Sequence, residues 1–162
     1  MIRSQHHGGR IILLSLLTAL LLSITPLPET LQVFRPDWVA LTLLYWCLAL
    51  PQRIGVGIAW ITGLLQDVLI GSLLGQHALI LALIAYIVLR FHQRIRPFPP
   101  WQQAIIVALL LLLTQLITLW INGIIGRSLN SWSYWLPSVT GTLLWPVIFY
   151  LLRKIRRWFH VK

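Results

Sequence analysis

The sequence predicts an all-α membrane protein, a bundle of six transmembrane helices with both ends on the cytoplasmic side. Three observations carry that expectation. Of the 162 residues, 58% belong to the set AVILMFWYC, and the mean hydropathy is +0.82. Only 10% are charged, where a soluble domain carries about 25%. The 13 Lys and Arg, against 3 Asp and Glu, fall on alternate loops once the chain is cut into its apolar segments. Six crossings of roughly 20 residues each leave room for one integral membrane domain, residues 1–162, and no soluble domain beside it.

The cuts follow from energetics, because an ion at the bilayer centre costs at least about 2.5 kcal/mol. The first span, 11–28, comes after Arg3 and Arg10 and has the outline of a signal peptide. Ser23-Ile24-Thr25-Pro26 is a poor small-residue cleavage site, so the segment is expected to stay as the first helix. The second span is 38–52. From 54 to 89 the one charge is Asp67, and that stretch is about twice the length of a crossing. It is expected to be a hairpin of spans 54–71 and 76–90, with its turn near Gly71-Ser72-Leu73-Leu74-Gly75-Gln76-His77, where two glycines punctuate the apolar run. The fifth and sixth spans, 102–122 and 136–152, fill the uncharged runs on either side of Arg127. Five spans with a re-entrant 54–71 is the alternative.

Orientation tests the count. With the N-terminus inside, Arg3, Arg10, Arg53, Arg90, Arg94, Arg96, Arg153, Lys154, Arg156, Arg157 and Lys162 share the cytoplasmic face, leaving Arg35 and Arg127 outside, as the positive-inside rule requires. Five spans would put the Arg153 to Arg157 tail or the N-terminus on the wrong side. Among the nine tryptophans, Trp38, Trp101, Trp132, Trp135 and Trp158 lie near span boundaries and suit an interfacial belt.

Candidate sites are few. Gly55, Ala59, Gly63, Asp67 and Gly71, continued by Gly75, recur every four residues, which on a helix makes a slowly winding stripe of small side chains. Such a stripe lets another helix come close, either inside the bundle, the commoner use, or as a docking face for a partner's helix or a second copy of the chain. Asp67 sits about 18 Å up its span, just past the middle of a ~30 Å core on the outer side. Gln66, His77 and Gln115 are its candidate partners. A structural contact, a partner contact and proton coupling are all open to an intramembrane carboxylate. In the outer loop, Arg35, Pro36, Asp37 and Trp38 read as a helix start: Pro36 suits a first turn and Asp37 complements the helix dipole. Arg35 is placed to pair with Asp37. The same loop is the candidate periplasmic contact surface.

The basic stretches, Arg90, Arg94 and Arg96 before Trp101, and Arg153, Lys154, Arg156 and Arg157 before Trp158, read as cytoplasmic anchors held near anionic lipid headgroups. Their place beside two spans argues against nucleic acid. Cys47, the one cysteine, excludes an internal disulfide and a thiolate metal cluster. Glu29, Asp37 and Asp67 are not spaced as a paired acid and base, the histidines are scattered, and no metalloprotease, Walker or nucleophile-elbow motif is present. Neither an enzyme nor a cofactor is expected.

Phe34-Arg35-Pro36-Asp37-Trp38 running into Leu44-Tyr45-Trp46, then Ala49-Leu50-Pro51 with Arg53, Gly63-Leu64-Leu65-Gln66-Asp67 through Gly75, and Leu144-Trp145-Pro146 together resemble the rod shape-determining MreD family, proteobacterial type. That resemblance implies a non-enzymatic multi-pass subunit of the bacterial inner membrane, in the complex that elongates the lateral cell wall. It further implies direct association with the bitopic protein MreC. Through MreC it implies links to the filament protein MreB, the glycosyltransferase RodA and the elongation transpeptidase, for cell shape and peptidoglycan synthesis. The family's bundle is similar to the substrate-binding subunits of energy-coupling-factor (ECF) transporters, a likeness that does not transfer function. The competing expectation is such a solute-binding subunit, with Asp67, Gln66, His77 and Gln115 lining an outward pocket.

Overall fold

The computed structural model describes residues 6–128 and 131–161, with side chains from residue 8 onward. Arg3 and Lys162, counted in the charge bias, lie outside the described residues. Within them the chain is helical throughout: α1 (His6–Ile24), α2 (Glu29–Gln32), α3 (Trp38–Ala49), α4 (Val56–Ile70), α5 (Gln76–Ile95), α6 (Pro100–Ile125) and α7 (Leu136–Trp158), with a 3-10 turn at Trp132–Trp135. Among the described residues, three segments are long and apolar enough to cross a membrane: Gln76–Ile95, Pro100–Ile125 and Trp132–Trp158. Gly8–Ile24, Trp38–Ala49 and Val56–Ile70 are apolar but shorter.

The helix ends have local causes. Thr25 precedes Pro26 and Leu50 precedes Pro51, and the residue before a proline is pushed out of the helical region, so α1 and α3 stop there. Asp37 starts α3, its side chain accepting from the Ala40 N–H at 3.1 Å. Pro100 opens α6 at the position where a missing N–H costs nothing. Between α4 and α5 the chain turns through Gly71 at φ +74° and Gly75 at φ +97°, left-handed conformations that only glycine adopts cheaply. The other helix ends do not coincide with the ends of the uncharged runs. α1 begins before residue 11, taking in Arg10, and α5 and α7 continue past residues 90 and 152 to Ile95 and Trp158. A charge is expelled from the bilayer core and not from a helix, so these helices carry their arginines beyond the apolar zone.

The core is built around α3, whose sequence Trp38-Val-Ala-Leu-Thr-Leu-Leu-Tyr-Trp-Cys-Leu-Ala49 is apolar on every face, the pattern of a helix enclosed on all sides. Every residue from Val39 to Ala49 is buried, with α1, α5, α6 and α7 packed around them. Trp46 Nε1 donates to Ser15 Oγ at 2.8 Å, which ties α3 to α1. Tyr45 meets Trp46 and Phe149 edge-on, with ring centres 5.2 and 5.6 Å apart. Trp46 and Trp145 are fully enclosed, so these two serve packing and not an interfacial belt. Outside this centre, α4 packs chiefly on α5, and α6 on α7.

The antiparallel order separates the charges. Glu29, Asp37 and Asp67 share one end of the bundle with Arg35 and Arg127, and Arg53, Arg90, Arg94, Arg96, Arg153, Lys154, Arg156 and Arg157 share the other. The bundle thus has an acidic end and a basic end.

Candidate functional site

The acidic end is organised by Asp67. One turn from the end of α4, its carboxylate is 1% exposed and points at the start of α5. It accepts from Ser72 Oγ at 2.7 Å, the Gly75 N–H at 2.9 Å and the His77 N–H at 3.0 Å. His77 Nδ1 lies 2.7 Å from the same carboxylate. The first N–H groups of a helix lack intrahelical partners, and a negative charge there complements the helix dipole. Asp67 therefore caps α5 from the neighbouring helix and closes the hairpin. Of the three partners expected for it, the structure brings His77 to it. Gln66 reaches instead toward Asp37 Oδ1 at 3.5 Å, and Gln115 serves a separate network.

The stripe of small residues has a similar destination. A Cβ on Gly63 would fall 2.4 Å from Ala78 Cα, closer than any real contact, so α4 and α5 touch backbone to backbone here. Ala59 and Asp67, one turn to either side, are likewise buried. α5 of the same chain occupies the centre of this face. Gly55, Gly71 and Gly75 are helix caps, and added side chains there would meet nothing within 4 Å.

Arg35 and Asp37 do not form the expected pair. The Arg35 guanidinium turns back to the end of α1, donating to the Ser23 carbonyl at 2.7 Å and to the Thr25 carbonyl. Those carbonyls are unpaired at a helix C-terminus, and the guanidinium satisfies them. Pro36 is buried, while Phe34 stands 49% exposed beside it.

Between these groups lies a cavity of about 310 Å³, bordered by Arg35, Asp37, Gln66, His77, Gln115 and Ser138. Much of its lining is already bonded. Gln115 donates to the Tyr134 carbonyl at 2.8 Å and accepts from Ser138, and the Tyr134 hydroxyl donates to the Gln115 carbonyl at 2.6 Å. Arg35 Nε and Gln66 Oε1 are buried without a partner among the described residues. Ser72, Tyr134 and Ser138 are not among the candidate site residues of the sequence. Ser72 was legible, lying five residues after Asp67 in the expected turn, whereas the Gln115 network joins residues 19 and 23 apart and has no local signal.

At the basic end a larger cavity, about 910 Å³, is bordered by Arg53, His92, Arg96, Arg156 and His160. Of the expected anchors, Arg96 and Arg156 line it, Arg153 lines an adjoining cavity with Tyr45 and Gln103, and Arg90, Arg94, Lys154 and Arg157 lie outside both. No group of three or more His, Cys, Asp or Glu is placed to hold a metal ion among the described residues.

The profile of the family described as rod shape-determining protein MreD matches residues 5–155. The rod shape-determining protein MreD of Haemophilus influenzae is 34% identical over 139 residues, covering 86% of each chain. No solved structure matches.

Proposed function

The chain belongs to the rod shape-determining protein MreD family, a multi-pass protein of the bacterial inner membrane, and from that premise we propose that it is a non-enzymatic subunit of the wall-elongation complex. The match along nearly the whole chain carries this proposal. The bundle is compatible with it: Asp67 caps α5 and closes the α4–α5 hairpin, and Arg35 bonds the end of α1. In this role α1, α3, α4, α5, α6 and α7 are six crossings, with the basic end in the cytoplasm as the positive-inside rule requires. The short α3 and α4 fit because α5 and other helices of the same chain pack against them.

MreC is the proposed direct partner, with MreB, RodA and the transpeptidase reached through the complex. Because α5 covers Ala59, Gly63 and Asp67, a partner has to meet other surface. The proposed contact on the periplasmic side is the loop from Val33 to Trp38, where exposed Phe34 is the apolar element and Arg35, Pro36 and Asp37 hold it in place. Phe34→Ser should reduce recovery of MreC with tagged native-level bait while the bundle stays folded.

The orphan Arg35 Nε and Gln66 Oε1 in the 310 Å³ cavity favour one second role, a solute-binding subunit of an ECF-type transporter. A detergent pull-down with identification by mass spectrometry separates the two. Wall-synthesis proteins with the native bait support the first; a cytoplasmic ATPase module without them supports the second.

A further inference from the structure

The basic cavity and the surface of the bundle meet at Arg53. Its guanidinium lies against Gly8, where an added Cβ would come within 2.9 Å of Nη1. Arg53 lines the 910 Å³ cavity together with Arg96 and Arg156. It also closes the lower end of a second, apolar groove of about 540 Å³ between α1 and α4, walled by Ile12, Leu16, Leu20, Ile58, Ile61 and Leu65. One cation thus joins a polar cavity to a hydrocarbon slot.

The electrostatics of that junction are one-sided. All three acidic side chains of the sequence lie at the opposite end, and among the described residues Arg53 and Arg96 meet no carboxylate. The slot's length is equally telling. From Gly9 to Leu20 on α1 it runs about 16 Å, from the interface to the middle of a ~30 Å hydrocarbon core. That is the depth of one leaflet. A partner's transmembrane helix would need a groove across both.

We propose that this junction binds an anionic phospholipid of the inner leaflet, its phosphate held by Arg53, Arg96 and Arg156 and one acyl chain lying in the α1/α4 groove. Cationic pockets between transmembrane helices on the cytoplasmic side suit such headgroups. The assignment to the inner leaflet rests on the orientation proposed above; the binding itself does not.

The test is titration of the full-length protein in detergent with phosphatidylglycerol, phosphatidylcholine or inorganic phosphate, bound molecules being counted by native mass spectrometry. The native protein should retain phosphatidylglycerol over phosphatidylcholine. Arg53→Gln should weaken phosphatidylglycerol about fivefold, the loss of one cation at a headgroup. Arg94→Gln, the same charge change outside the site, should not. Ile61→Trp, which fills the lipid-facing slot without touching charge, should weaken both lipids alike. Binding that is equal for the two lipids, or unchanged in either Arg53→Gln or Ile61→Trp, overturns the proposal. So does displacement of the lipid by millimolar phosphate, which would make the cavity a free-anion site, or retention of a protein with an acidic segment in place of lipid.

Discussion

Gly63 offers the sharpest test of how this bundle is held together. Gly63→Ala adds one methyl group, which on a typical exposed helix position stabilises by up to about 1 kcal/mol because alanine is the better helix former. Here the new Cβ would sit 2.4 Å from Ala78 Cα, 2.5 Å from Ala78 N and 2.6 Å from the His77 carbonyl carbon. Ordinary contact begins near 3.4 Å, so α4 and α5 must separate by about 1 Å. The obstructing atoms are backbone and cannot swing aside, which places the cost toward the upper end of the overpacking range, about 3 kcal/mol. The shift would also stretch the Asp67 bonds to Gly75 and His77 one turn away. Gly57→Ala is the matched control, since an added Cβ there meets nothing within 4 Å. Thermal unfolding in detergent, followed by helical circular dichroism, should show a Tm drop of roughly 5–10 °C for Gly63→Ala and none for Gly57→Ala. Equal stability of the two variants would refute the backbone contact between α4 and α5.

Further outcomes follow from the same contacts. Asp67→Asn turns one acceptor oxygen into a donor facing N–H groups that need an acceptor, and it should cost about 3 kcal/mol, read as a lowered Tm. His77→Ala should cost less, because the backbone caps on Asp67 survive it. Trp46→Phe removes the bond to Ser15 while keeping most of the ring's packing, and should lower stability by about 1 kcal/mol in chemical denaturation. Cys47 is buried, so introduced cysteines can be labelled against a quiet background. Gln32→Cys and Ser131→Cys should react with an impermeant maleimide on intact spheroplasts, and Gln93→Cys and Lys154→Cys only after lysis.

How much of this was legible beforehand depends on the range of the interaction. The helical class and the Gly71 to His77 turn follow from local chemistry, namely composition and glycine placement. The capping role of Asp37 is local too. Asp67 was marked out by its isolation in an apolar run, and its partner His77 lay within reach because a tight hairpin keeps the two close in sequence. What could not be read is whatever depends on which helices become neighbours. Arg35 bonding to α1 rather than Asp37, α5 covering the small-residue stripe, and Gln115 joining Tyr134 and Ser138 are all contacts between segments whose adjacency the sequence does not state. α3 is the instructive middle case: its uniform apolarity suits a membrane crossing and an enclosed core helix equally, and only the surrounding helices decide that Trp46 is core. In the sequence Arg53 is one basic residue among many, since nothing local shows that it closes a groove.

The most direct test of the shape-determining role is made in cells. Removing this chain from its native host and measuring length-to-width ratios should give rounded cells, with rods restored by the native protein and by Gly57→Ala but not by Gly63→Leu. Cells that remain rod-shaped without the chain, with wall synthesis along their sides undisturbed, would contradict it.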